Sequence, residues 1–138
     1  MRPPFHLAIP VRSIPEARAF YGDVIGCREG RSAERWVDLD LYGHQLVVHL
    51  VDGYQGRHAH NPVDGDAVPI PHFGVVLAMA EWERLAERLR GHVDFVIEPH
   101  VRFQGEPGEQ ATMFFLDPSG NALEFKGFQD VDGQLFAT

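Results

Sequence analysis

One cysteine, Cys27, is present in 138 residues. The chain can therefore form no internal disulfide and offers no thiolate cluster to a metal. No stretch approaches the ~20 continuous apolar residues of a membrane span. The first residues, Met1-Arg2-Pro3-Pro4-Phe5-His6, also lack the apolar run of a secretory signal. A cytoplasmic location is the expectation on those grounds. There is no block rich in lysine or arginine, and 12 basic against 20 acidic side chains give a formal net charge of −8. That balance argues against a nucleic-acid partner or an anionic membrane surface.

What is present fits a globular protein. Hydrophobic residues make up 44% of the chain and charged ones 23%. The length suits one compact domain or two small modules sharing a core. Eight histidines are many for such a length, so their positions matter.

Residues 5–9 alternate, with Phe5, Leu7 and Ile9 on one face and His6 and Ala8 on the other. Ser13-Ile14-Pro15-Glu16 has the form of a capping box with proline in the first turn. Ala17, Phe20, Tyr21 and Val24 follow at helical spacing, and Gly26 is a fitting stop. A polar connection leads to a strand over 36–41, a turn at Tyr42-Gly43-His44, and a returning strand over 45–50. The same order begins again at Pro71. Phe73, Val75 and Leu77 alternate with His72, Gly74 and Val76, and a helical stripe of Trp82, Leu85, Ala86 and Leu89 stops at Gly91. Strands are expected over 93–97, 110–116 and 122–126, with a turn at Asp117-Pro118-Ser119-Gly120. Strand, helix, then strands thus occurs twice, with a longer insertion, 98–109, in the second copy. Fixed-order self-similarity is an architectural signal. Module one spans about 5–51, a linker or lid loop 52–69, module two about 70–128, and a peripheral tail 129–138 in which Phe136 is a potential anchor.

The two first strands place His6 and His72 at equivalent positions, on the face away from the helix. In the last strand, Leu123 and Phe125 belong on the helix side, which leaves Glu124 on the other face within an otherwise apolar strand. An unpaired carboxylate there would cost several kcal/mol to desolvate, so it requires a cationic partner. Two imidazoles and one carboxylate suit a borderline divalent ion such as Fe(II) or Mn(II). Taken singly, each of these residues also fits a hydrogen-bonded structural role.

The double strand-helix-strands order, a histidine on each first strand, Ala17-Arg18-Ala19-Phe20-Tyr21, and the closing Asp117-Pro118-Ser119-Gly120-Asn121-Ala122-Leu123-Glu124-Phe125 together resemble the vicinal oxygen chelate superfamily. That group includes glyoxalase I, type I extradiol dioxygenases, and fosfomycin and bleomycin resistance proteins. The resemblance covers residues 5–128, and the chain is most similar to small bacterial proteins described as predicted extradiol-type dioxygenases. It implies an α+β fold in which two βαβββ modules form a paired, cup-shaped mixed sheet with helices outside. It also implies metal ligands at His6, His72 and Glu124. Glu124 lies four residues beyond Gly120, and four beyond Gly43 is Val47, where glyoxalase I resemblance would call for a glutamate. Three protein ligands leave about three positions open on a six-coordinate ion, room for a catechol-like substrate and dioxygen.

The expected activity is Fe(II)-dependent extradiol-type cleavage of a small aromatic, with one divalent metal as cofactor and a homodimer as the assembly. His49, two residues beyond Val47, is the expected acid/base. His58 and His60 are alternative proton shuttles, whereas His44 and His92 look peripheral. Trp36, Phe114 and Phe115 are candidate pocket aromatics. Arg102, with His100, is a candidate contact for an anionic substrate. Two other readings stay open. One is a glyoxalase-like lyase, isomerase or epimerase using Mn, Ni, Co or Zn. The other is a non-enzymatic antibiotic-binding protein, against which the His, His and Glu set counts. Whether the modules pair within one chain or across a swapped dimer is also left open.

Overall fold

The computed structural model describes residues 2–138. Its contacts divide the chain into two compact units. Unit 1 comprises the chain up to Gly56 together with Asp117–Gly120, and unit 2 comprises Arg57–Leu116 and Asn121–Thr138. Among the described residues no helix is long and apolar enough to cross a membrane.

Unit 1 opens with β1 (His6–Val11) and the short helix α1 (Ile14–Ala17), which continues as a π-helical segment, Arg18–Ile25. The Ser13 hydroxyl accepts from the Glu16 amide at 3.2 Å, and proline stands in the first turn. These are the capping features read from the sequence. The wider π turn moves the buried stripe by one place: Ala17, Phe20, Tyr21 and Ile25 are buried, while Val24 is only half-buried. Gly26, at φ 99°, ends the segment. Then come β2 (Arg28–Ala33), β3 (Trp36–Leu41) and β4 (His44–Leu50), in the sheet order β1-β4-β3-β2. β1 runs parallel to β4 and the other pairs are antiparallel. β2 occupies what reads as a polar connection. All six of its residues are exposed, so it carries no burial pattern to announce it. The core is Ile9, Val11, Val37, Leu39, Leu41, Leu46 and Val48 against the helical stripe.

The Asp117–Gly120 turn is fastened within unit 1. The buried Tyr21 hydroxyl donates to Asp117 Oδ2 at 2.7 Å, and the Arg12 amide donates to Ser119 Oγ at 2.9 Å. Burial first, and then the Asp117 carboxylate, hold the Tyr21 phenol well above its ordinary pKa.

Unit 2 begins with a hairpin, β5 (Ala59–Val63) and β6 (Asp66–Ile70), where the sequence reads as a linker or lid loop. Turn-forming Asp64-Gly65 sits at its tip with both residues at positive φ, the chemistry of a two-residue hairpin turn. Next come β7 (His72–Phe73), β8 (Val76–Ala78), α2 (Met79–Leu89), β9 (Phe95–Arg102), β10 (Gln110–Leu116), β11 (Ala122–Phe128) and the short α3 (Val131–Gln134). The sheet order is β7-β11-β10-β9, with β8 also parallel to β11. This is the order of unit 1, so the repeat read from the sequence has a topological counterpart. The α+β fold class is likewise the one expected.

The stripe Trp82, Leu85, Ala86 and Leu89 is buried as its spacing predicts. The Trp82 indole donates to the Phe125 carbonyl at 2.8 Å, and a Cβ on Gly127 would lie 2.7 Å from Trp82. Three expectations are corrected. β9 runs on to Arg102, so His100 and Arg102 lie on a strand and not in an inserted loop. The first strand of the second module is broken at Gly74. Phe136 anchors nothing, being 88% exposed.

Candidate metal centre

In unit 2 the parallel pairing of β7 with β11 sets His72 beside Ala122 in register, one pleat away from Glu124. Gly74 permits the close approach: a Cβ there would fall 1.6 Å from the Glu124 carbonyl oxygen. His72 Nε2 then lies 3.1 Å from Glu124 Oε1. The other ring nitrogen, Nδ1, meets the Pro69 carbonyl at 2.6 Å. A carbonyl can only accept, so Nδ1 carries the proton, and in the neutral ring Nε2 directs a lone pair toward a carboxylate oxygen. Two such acceptors are stable face to face only when a cation lies between them, either a second proton or a metal ion.

Without a metal, a proton between the two atoms satisfies both. Its hydrogen bond with Glu124 raises the His72 pKa above the ordinary value, with burial opposing. Burial pushes the Glu124 carboxyl up, yet the His72 and Thr112 hydrogen bonds and the Lys126 charge outweigh it and leave the net shift downward.

The same pair fits a divalent ion. Two ligand atoms about 2.1 Å from one ion at right angles lie about 3 Å apart. A histidine ligand ordinarily donates its second N–H to a carbonyl or carboxylate, as His72 does to Pro69. Glu124 is 6% exposed and its other oxygen is taken. The Thr112 hydroxyl donates to Oε2 at 2.5 Å, and Arg102 Nη1 lies 3.5 Å from it. Arg102 Nη2 reaches Asp66 Oδ2 at 2.9 Å, and His100 Nε2 lies 2.9 Å from the same oxygen. Two carboxylates thus share one guanidinium.

In unit 1, register places His6 beside Gln45 and Ala8 beside Val47. His6 Nδ1 is 2.8 Å from Gln45 Oε1. With Nδ1–H donating to that amide oxygen, the His6 Nε2 lone pair is free, the same tautomer that Pro69 imposes on His72. Val47 corresponds to Glu124 by register as well as by the count from the turn glycine. Asp38, Val47 and Ala8 form one row across the sheet, and Trp36, His49 and Pro10 the next. His49 is exposed and has no side-chain partner among the described residues.

Of the residues singled out from the sequence, His72, Glu124, Phe114 and Arg102 are gathered in unit 2, while His6, Trp36 and His49 belong to unit 1. Among the described residues no three His, Cys, Asp or Glu side chains form a metal-holding group. Phe114 is fully buried and meets the His72 ring edge-on at a centroid distance of 4.9 Å. It is therefore a wall behind the imidazole and presents no surface to a substrate. Arg102, expected at a substrate anion, is 2% exposed and committed to two carboxylates. Phe115 is likewise core, stacked on Phe125. Sequence reasoning missed Thr112 and Asp66. Thr112 precedes Phe114 by one strand alternation, a signal available once Glu124 is placed. Asp66 stands in a stretch without apolar periodicity and gives no such signal.

The family model described as Glyoxalase/Bleomycin resistance protein/Dioxygenase superfamily matches residues 4–125. Among curated proteins, none matches by sequence. A glyoxalase/bleomycin resistance protein/dioxygenase from Alicyclobacillus acidocaldarius shares 33% identity, with 94% of each chain covered and a TM-score of 0.80. A genomically encoded fosfomycin resistance protein from Listeria monocytogenes shares the fold at 16% identity, covering 97% of this chain and 98% of its own, with a TM-score of 0.71. A lactoylglutathione lyase from Agrobacterium tumefaciens does so at 22% identity, with 98% of each chain covered and a TM-score of 0.65.

Proposed function

Because the chain belongs to the glyoxalase/bleomycin resistance protein/dioxygenase superfamily, we propose that it is a divalent-metal-dependent enzyme, an extradiol-type dioxygenase that opens the ring of a small catechol-like aromatic. The observation that carries the metal reading is the His72–Glu124 pair, with His72 Nδ1 committed to Pro69 and Nε2 facing a carboxylate oxygen at 3.1 Å. His6 is proposed as the third ligand. Its support is its equivalence to His72 in the repeat and the matching tether of its own Nδ1 on Gln45. When bound, the metal, with Fe(II) favoured, would supply Lewis acidity and a path by which electrons pass from the catechol, the reductant, to dioxygen.

The chain's own residues do the rest. Pro69 and Gln45 fix the tautomer and orientation of the two imidazoles, which is how outer contacts tune a ligand set. Phe114 packs against the His72 ring and keeps that side dry. Valine at position 47 in place of a fourth ligand supports a reading in which substrate and dioxygen both need room. His49, exposed and without a side-chain partner among the described residues, is the proposed acid/base for the substrate's second hydroxyl proton. Trp36, in register with His49, is the proposed aromatic contact. A homodimer is the proposed assembly.

The test is to purify the protein anaerobically, measure bound metal for wild type and His72→Ala, and follow oxygen uptake by the Fe(II)-loaded protein with a panel of catechols. Metal bound by wild type and lost from His72→Ala, with catechol-dependent oxygen consumption, is the expected result. Metal content untouched by His72→Ala defeats the site. Turnover that needs no oxygen moves the protein to the lyase and isomerase branch of the superfamily.

A further inference from the structure

Arg102 sits at the end of β9, 2% exposed, beneath the carboxylate that the metal reading uses. A buried guanidinium is costly unless carboxylates pair with it, and two do. Nη2 donates to Asp66 Oδ2 at 2.9 Å, while Nη1 lies 3.5 Å from Glu124 Oε2. The Phe114 ring centroid is 5.9 Å from the guanidinium carbon and limits its tilt. The fork is planar and rigid, so a guanidinium held at Asp66 reaches Glu124 in one orientation. Thr112 donates to the same Oε2. That oxygen is doubly engaged, and Oε1 is left aimed at His72. Asp66 is the first residue of β6, in the hairpin that opens unit 2, and its ion pairs are with Arg102 and His100.

We propose that Asp66 and Arg102 form a positioning relay. Asp66 holds and neutralises Arg102, Arg102 together with Thr112 fixes Glu124 Oε2, and the hairpin thereby sets how tightly His72 and Glu124 hold a divalent cation. The proposal rests on the metal reading above. It differs from a substrate-contacting role for Arg102, because the guanidinium acts through Glu124. Without the Asp66 charge, the guanidinium draws harder on Glu124 and competes with the cation for it.

The test titrates Co(II) alone into the metal-free full chain, reading the dissociation constant by calorimetry and the ligand field by visible absorption. Asp66→Asn keeps an oxygen for Nη2 but removes the charge, and a thermal melt establishes that the variant is folded before it is titrated. The expected result is Co(II) binding weaker by about tenfold or more with an altered absorption band. Thr112→Val weakens binding in the same direction. In an Arg102→Lys background, Asp66→Asn adds little further loss, because both changes cut one relay. Asp66→Asn that binds Co(II) within twofold of wild type, with a superimposable spectrum, overturns the relay even if its melting temperature falls. Wild type that binds no Co(II) overturns the metal reading itself, and the relay with it.

Discussion

Gly74→Ala isolates the backbone approach on which the site depends. The added Cβ would lie 1.6 Å from the Glu124 carbonyl oxygen and 2.6 Å from its carbonyl carbon. An ordinary carbon–oxygen contact is about 3.3 Å, so the segment between β7 and β8 must retreat from β11 by about 1.7 Å. The obstacle is backbone on both sides, so no side chain can swing away to relieve it. Overpacking of this kind costs about 1–3 kcal/mol, and the neighbouring Lys126 amide bond to the Val75 carbonyl, already 3.3 Å long, adds about 1 kcal/mol if lost. A total of about 3 kcal/mol corresponds to a fall of about 10 °C in melting temperature for a chain of this length. The same retreat carries His72 away from Glu124, so Co(II) binding weakens alongside stability. Gly22→Ala is the control: its nearest neighbour would be 3.9 Å away, and helix propensity makes it neutral or slightly stabilising. Thermal melts and cobalt titrations of both variants check the argument. Gly74→Ala melting within 2 °C of wild type, with unchanged cobalt affinity, refutes it.

Tyr21→Phe removes a buried hydroxyl from Asp117 and should cost about 2 kcal/mol in denaturant unfolding, the range for a hydrogen bond to a charged acceptor. A cost below about 0.5 kcal/mol would show that Asp117 is held by its other partners. Burial pushes the Cys27 thiol up to about 12, so native protein should resist iodoacetamide at pH 8 and react once unfolded. Fast native labelling would contradict the burial. In metal-free protein, the lowered Glu124 carboxyl stabilises above its unfolded value and loses that contribution as pH falls through its folded one. The raised His72 stabilises below its unfolded value and loses its share as pH rises through its folded one. The pair therefore contributes most between about pH 4.5 and 6.5, and Glu124→Gln should flatten that part of the profile. Identical urea midpoints against pH for wild type and variant would remove the pair from the account.

Elements with one buried face were legible in the sequence. β3 and β10 fall on their expected bounds because alternation or a buried apolar run marks them, and α2 falls where its Trp82, Leu85, Ala86 and Leu89 stripe points. β2 and the β5–β6 hairpin carry mostly exposed side chains, so no hydrophobic period announces them, although Asp64-Gly65 was a turn signal in plain sight. The π-helical segment moved burial from Val24 to Ile25 because a period of 3.6 was assumed where the turn is wider. At the site, a glutamate amid apolar neighbours was a readable anomaly, since burial without a cation is costly. Its helpers were harder to read. Arg102 lies where β9 outruns its apolar alternation, and Asp66 meets His100 and Arg102 across a long stretch of sequence, 36 positions in the case of Arg102.

The two modules agree in backbone and differ in charge. Both run the first strand parallel to the last, both carry a histidine on that first strand, and both tie its Nδ1 to an oxygen acceptor, Gln45 in one and Pro69 in the other. The donor geometry is thus duplicated. The carboxylate is not, because valine occupies position 47 where the second module has Glu124. A single carboxylate makes its orientation decisive, since no second one compensates if it rotates. That is a physical reason for Glu124, alone among these residues, to be held by a hydroxyl and a guanidinium at once. On the proposed metal reading it is also a reason for the guanidinium to be balanced by Asp66: an unbalanced cation at that point would oppose an ion bound by the carboxylate.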